Sequence, residues 1–164
     1  MRSIFFIFSL LITQACGVYS FTGASISPEV ETLSVAFFPN QANLVNPTLS
    51  QTFTEALKDQ FIQQTNLNLI TKGGDLHFEG EIVDYSVRPV SVTSDQTASQ
   101  NRLTITVNVR FFNSVSPEKD FQQRFSRFSD FPSSENIASI EDQLVEEITQ
   151  ELVQNIFNKA VVNW

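Results

Sequence analysis

The sequence is short of the residues on which site chemistry usually rests. It holds one cysteine, one histidine and one tryptophan. A single thiol excludes an intramolecular disulfide, so the core alone must hold the fold. One histidine, with no second histidine beside it, supplies too few ligands for a zinc site. Basic residues are scarce: 10 Lys and Arg stand against 18 Asp and Glu, for a formal charge of −8. That balance speaks against nucleic acid, whose phosphates demand clustered cations, and against broad electrostatic adhesion to anionic headgroups. No apolar run approaches the roughly 20 residues of a membrane-spanning helix. No GxSxG elbow, Walker loop or dinucleotide fingerprint is present. His77, between Leu76 and Phe78, reads as an exposed strand residue. Glu79 and Glu81 share its face and read as solvated charges, and Gly73-Gly74 reads as a turn. No catalytic residue, metal ligand or cofactor is expected.

What the sequence does have begins at its N-terminus. Arg2 precedes an apolar stretch, Ile4–Ile12, broken only by Ser9. Its length fits the 7–15 residues of a secretory signal's apolar segment. The small residue Ala15 then stands directly before Cys16, with Gly17 after it. A thiol at the first mature position resembles the bacterial lipoprotein signal, in which Cys16 would carry the lipid. Thr13 occupies the position where that signal usually has Leu. The other reading is an ordinary secreted chain with a stray thiol. Acyl chains contribute about 0.8 kcal/mol per buried CH₂, so several of them form a near-permanent anchor. No Asp follows Cys16 and no acidic run comes after it, which places the mature chain on the periplasmic side of the outer membrane. The expected organisation is a signal peptide over 1–15, a lipidated N-terminus and tether over 16–31, and one domain over 32–164. Loss of Arg2 would leave 9 basic and 18 acidic residues.

Sixteen phenylalanines, three of them in the signal, give the domain a large apolar payload. Leu33, Val35 and Phe37 alternate in a short strand ended by Pro39. Asn46-Pro47 is a helix start, Asn capping and Pro occupying the first turn. Leu49, Phe53, Ala56, Leu57 and Phe61 then form one face of a helix over about Pro47–Thr65. "NLNLITKGGD" reads as a brief extended stretch closed by a Gly73-Gly74-Asp75 turn. A long strand follows, with Leu76, Phe78, Gly80 and Ile82 on one face. Its parity slips at Val83-Asp84-Tyr85, as a bulge would produce, and Pro89 marks its end or an edge. Ser94–Asn101 reads as a hairpin tip. Leu103, Ile105, Val107, Val109 and Phe111 alternate in the next strand. In "FQQRFSRFSDF", Phe121 and Phe125 share a parity that Phe128 breaks, through a bulge or through apolar residues on both faces. Ser133, Ser134 or Asn136 caps a second helix, whose stripe is Ile137, Ile140, Leu144, Ile148, Leu152, Ile156 and Phe157. Its far side is acidic. The class is α+β: a two-layer sandwich in the order β-α-β-β-β-α, with two helices on one face of a mixed sheet of about four strands and a polar opposite face.

Taken together, "CGVYSFTGASI", "NPTLSQTFTEALKDQF", "GDLHFEGEIVDY", "NRLTITVNVRF", "FSRFSDF" and "VEEITQELVQNIFNKAVVNW" resemble the Bacteroidetes branch of the LptE family over the whole mature chain. The resemblance implies a lipoprotein that plugs the outer-membrane β-barrel LptD, helps it assemble, and assists delivery of lipopolysaccharide to the cell surface. Family members are described as contacting lipopolysaccharide phosphates through basic residues. Arg102, Arg110, Arg124 and Arg127 are the candidates here, either as a local patch or as ordinary solvated strand arginines. The acidic balance departs from that pattern. Two other classes stay open: a periplasmic lipid carrier or pilot lipoprotein with a Phe-lined cavity, and a cell-envelope enzyme, which the missing catalytic constellation disfavours.

Overall fold

The structure, a computed structural model, describes residues 26–44, 46–90 and 99–161. Cys16, the segment before it, most of the tether and the tip of the predicted hairpin lie outside these residues. In chain order the elements are β1 (Thr32–Val35), α1 (Leu49–Gln64), β2 (Asn68–Leu69), β3 (Leu76–Val90), β4 (Gln100–Asn113), β5 (Phe121–Pro132) and α2 (Ile137–Val161). The sheet has five strands in the order β2-β1-β3-β4-β5. The added strand is "NL", within the stretch read as extended. β1 runs parallel to β2 and β3, while β3, β4 and β5 form an antiparallel meander. β5 is the last strand, so among the described residues one flank of its backbone has no ladder neighbour. Among the described residues no helix is long and apolar enough to cross a membrane.

Local chemistry accounts for the helix starts. Asn46 Oδ1 accepts the N–H groups of Thr48 and Leu49, each at 3.0 Å, and so caps α1 one turn before its first regular residue. At α2 it is Asn136 that caps, its Oδ1 accepting from Ala138 N at 3.1 Å. The two helices lie side by side in parallel, since Asn46 meets Glu141 near their starts and Phe61 meets Phe157 near their ends. Tyr85 and Asn46 both donate to Glu141 Oε1, tying β3, the start of α1 and α2 to one carboxylate oxygen. Burial and this neighbouring carboxylate push the Tyr85 hydroxyl well above its ordinary pKa.

The helices cover one face of the sheet. Leu49, Phe53, Leu57 and Phe61 of α1, and Leu144, Ile148, Leu152, Ile156 and Phe157 of α2, are buried against Phe78, Ile82, Leu103, Ile105, Val107, Val109 and Phe111. The rings touch one another: Phe61 lies 4.9 Å from Phe78 and 5.0 Å from Phe157, and Phe78 lies 4.7 Å from Phe111. Val30, N-terminal to β1, belongs to the same core. The slip in β3 is a real bulge, with the register shifting between Ile82 and Asp84. Among the described residues, β3 past Ile82 is paired with β4 alone, so the missing N–H of Pro89 is tolerated there.

The expected inward position of Phe37 is wrong. Phe37 is 62% exposed, and Phe38 is fully buried, edge-on to Phe53 at 5.0 Å. The ladder ends at Val35. The Phe38 N–H then turns to Thr54 Oγ1 on α1, at 3.1 Å, and this rotation shifts the side-chain parity by one. Phe128 is settled too. The β4–β5 register runs without a break, so Phe128 is an outward residue on a strand with apolar groups on both faces.

Asp75 fastens the start of β1 to the start of β3. Its Oδ2 accepts from Thr32 Oγ1 at 2.7 Å, Thr32 N at 2.9 Å and Glu31 N at 3.0 Å. These bonds, the Thr32 hydroxyl first, hold its carboxyl below the ordinary value of 3.8. A depressed folded-state pKa stabilises the fold above 3.8, and that contribution is lost as pH falls through the lower folded value. Asp75→Asn is therefore expected to melt below wild type by a constant margin at pH 5–8, a window roughly clear of carboxylate titration. The margin should shrink in acid, and thermal melts across a pH series check it.

Candidate functional site: the outer face of the sheet

The face turned away from the helices is set by strand alternation. In β4 it carries Arg102, Thr104, Thr106, Asn108, Arg110 and Phe112, and the register aligns these with β3 and β5 in rows. One row reads Arg88–Arg102–Asp130, another Glu79–Arg110–Gln122, a third Glu81–Asn108–Arg124. Arg88, Arg102, Arg110 and Arg124 are thus matched by Glu79, Glu81, Asp84 and Asp130. The face is neutral in a chain of charge −8. The excess acid lies elsewhere, most densely on α2 at Glu141, Asp142, Glu146, Glu147 and Glu151.

Neutrality here is built by pairing. Arg102 grips Asp130 with two donors, Nε at 2.7 Å and Nη2 at 2.8 Å. The same guanidinium lies 3.6 Å over the Phe128 ring, which explains an exposed phenylalanine at that position. The hydrogen bonds from Arg102 hold the Asp130 carboxyl below its usual range. Arg110 Nε sits 3.1 Å from Glu79 Oε1. His77 lies 3.7 Å from the other oxygen of Glu79 and stacks on Phe112. Thr106 and Ser126 bond across strands at 2.9 Å. Exposed pairs of this kind each contribute only about 0–1 kcal/mol. Their effect is to fix side chains into an ordered surface.

The candidate arginines do not all share it. Arg102, Arg110 and Arg124 lie on the outer face. Arg127 opposes Ile105, so it points to the helix side, where its Nε is 3.6 Å from Glu151 Oε2 on α2. Arg124 is exposed and, among the described residues, makes no ion pair. Sequence reasoning passed over Arg88, which stands opposite Arg102. Its signal was available, since after the bulge the outward parity runs Asp84, Ser86, Arg88.

His77 is also part of a serine–histidine–glutamate string. Ser34 Oγ lies 2.8 Å from His77 Nδ1, and Glu79 approaches the opposite nitrogen. Ser34 is fully buried, however, and its Oγ also accepts the Gly74 N–H at 3.0 Å. A nucleophile needs an open path to its substrate, which that oxygen lacks. The string reads as a clamp between β1, β3 and the glycine turn.

Fold and face together define a surface-presenting α+β sandwich, a module whose apolar residues fill one interior and whose free sheet face is polar and ordered. Residues 30–160 match the family model of lipopolysaccharide assembly, LptE. The chain belongs to the LptE family of lipopolysaccharide assembly. No curated protein sequence matches it significantly. Its fold is similar to that of a hypothetical protein from Chlamydia trachomatis, at 12% identity and TM-score 0.57, covering 82% of this chain and 99% of that one. It is similar as well to lipoprotein B from Nitrosomonas europaea, at 16% identity and TM-score 0.52, covering 86% of each chain. A neuraminyllactose-binding hemagglutinin homologue from Helicobacter pylori shares the fold at 8% identity and TM-score 0.52, over 86% of this chain and 88% of that one.

Proposed function

We propose that this chain is anchored to the outer membrane on its periplasmic side through a lipid on Cys16, and that it plugs the LptD β-barrel and helps it assemble. The observation that carries the reading is the family match over residues 30–160. The geometry supports it in two ways. A water-lined barrel lumen is polar, and a neutral face of paired charges can be brought against it without stranding a net charge. Among the described residues the phenylalanine cluster is closely packed, with ring centroids 4.7–5.2 Å apart. A lipid carrier would need open space there. The role is one of assembly rather than catalysis. Contact with lipopolysaccharide phosphates on the outer face falls first to Arg124 and Arg88, since Arg102 and Arg110 would have to leave Asp130 and Glu79.

Affinity purification from detergent-solubilised outer membrane tests the reading. A large β-barrel recovered at equal stoichiometry is the expected result; the chain recovered alone with bound lipid would replace the plug with the carrier. Radioactive fatty acid should label the wild type and leave Cys16→Ala unlabelled. Label retained on the variant would remove Cys16 as the anchor.

A further inference from the structure

The side-by-side helices leave a channel of about 570 Å³ between them on the face away from the sheet. Its walls carry Glu55 and Asp59 from α1, and Asp142 and Glu146 from α2. Glu55 is paired with Lys58 at 2.9 Å, and the other three carboxylates have no ion pair among the described residues. Thr149 also lines the channel. It is 1% exposed, and its Oγ1 has no hydrogen-bond partner among the described residues. Native interiors rarely leave such a hydroxyl unsatisfied, and its lone pairs suit an incoming N–H donor.

From these observations we infer that the α1–α2 channel docks an extended, basic polypeptide segment of a protein partner, with a lysine or arginine head reaching Thr149 between the carboxylates. Charge complementarity selects the cation. Among the described residues no cluster of three or more ligands is arranged to hold a metal ion, so the charge is spread along the channel instead of focused on a point. From Thr48 to Gln63 the channel spans about 22 Å of helix, room for about six residues of extended chain. A second copy, at a charge of −8, is repelled. The chain's own N-terminal stretch does not supply the cation either, because no Lys or Arg occurs between Arg2 and Lys58.

The test uses the mature chain in detergent, titrated with a hexapeptide of alternating alanine and lysine and followed by amide NMR shifts. Shifts confined to α1 and α2 are expected, with none from the same peptide carrying acetylated lysines. The double variant Asp142→Asn, Glu146→Gln should weaken binding at least tenfold. Thr149→Val, which keeps the shape of the side chain, should weaken it severalfold with the melting temperature unchanged or raised. Shifts spread over every acidic surface, or affinity unchanged in the double variant or in Thr149→Val, would overturn the proposal. In cells, a photo-crosslinking residue at Gln63 should capture a peptide that sequencing shows to contain Lys or Arg, and one at Ser126 reports the outer face. Barrel crosslinks from Ser126 with none from Gln63 leave the plug standing and overturn the groove. Capture of another protein at Gln63 that is lost in the Asp142→Asn, Glu146→Gln variant, with no barrel at either position, keeps the groove and removes the plug.

Discussion

Phe61→Ala is expected to remove about 3–5 kcal/mol of folding stability, measured by urea unfolding. Phe61 is fully buried and joins three elements, α1 through its own backbone, β3 through Phe78 and α2 through Phe157. Truncation forfeits the transfer free energy of a buried ring and leaves a cavity that two rigid neighbours cannot close. It also removes two aromatic contacts, each worth about 0.5–1.5 kcal/mol beyond area. Against a total stability of about 5–15 kcal/mol for a domain, that is a large share. Phe37→Ala is the matched control. Phe37 is 62% exposed, and the same chemical change there should stay within about 0.5 kcal/mol. Equal losses at the two positions would mean that the one-residue shift after Val35 is misplaced.

Gly80→Ala is expected to cost about 3 kcal/mol, near the upper end for overpacking, although it adds a single methyl group. A Cβ at that position would lie 2.1 Å from the backbone oxygen of Asn108 and 2.7 Å from Phe38 Cε1. The Phe38 ring can rotate or be trimmed, whereas the Asn108 carbonyl belongs to the central strand of the antiparallel meander. Adding Phe38→Ala should therefore fail to rescue Gly80→Ala. Recovery to the level of Phe38→Ala alone would show that the ring, and not the β4 backbone, sets the constraint. Melting temperatures of the three variants decide it.

These two positions also mark how far the sequence could be read. Periodicity placed both helices, because Leu49, Phe53, Leu57 and Phe61 repeat on one face wherever the partner lies. The strict alternation of β4 likewise identified a strand with one buried face. The slip at Val83 was legible as a bulge because apolar residues changed parity there and stayed changed. Phe37 failed because a tertiary hydrogen bond, from the Phe38 N–H to Thr54, rotates the chain after the strand ends. Nothing local signals a bond across sixteen residues. Arg127 is a different case. Phe121, Phe125 and Arg127 share odd parity, so its place on the helix side followed from the same alternation that identified the strand. The channel between the helices was out of reach for another reason. It depends on α1 and α2 lying parallel and adjacent, and one-dimensional patterns fix which face of each helix is apolar, not which helix stands beside it.

The unpaired flank of β5 has a consequence for the interval before any partner is met. Twelve residues of strand with one side open invite cross-β growth between copies. Arg124 and Arg127, one on each face, bring like charges together whenever two such borders align in register. The border is thereby discouraged from templating its own kind, and the newly made chain is kept dispersed.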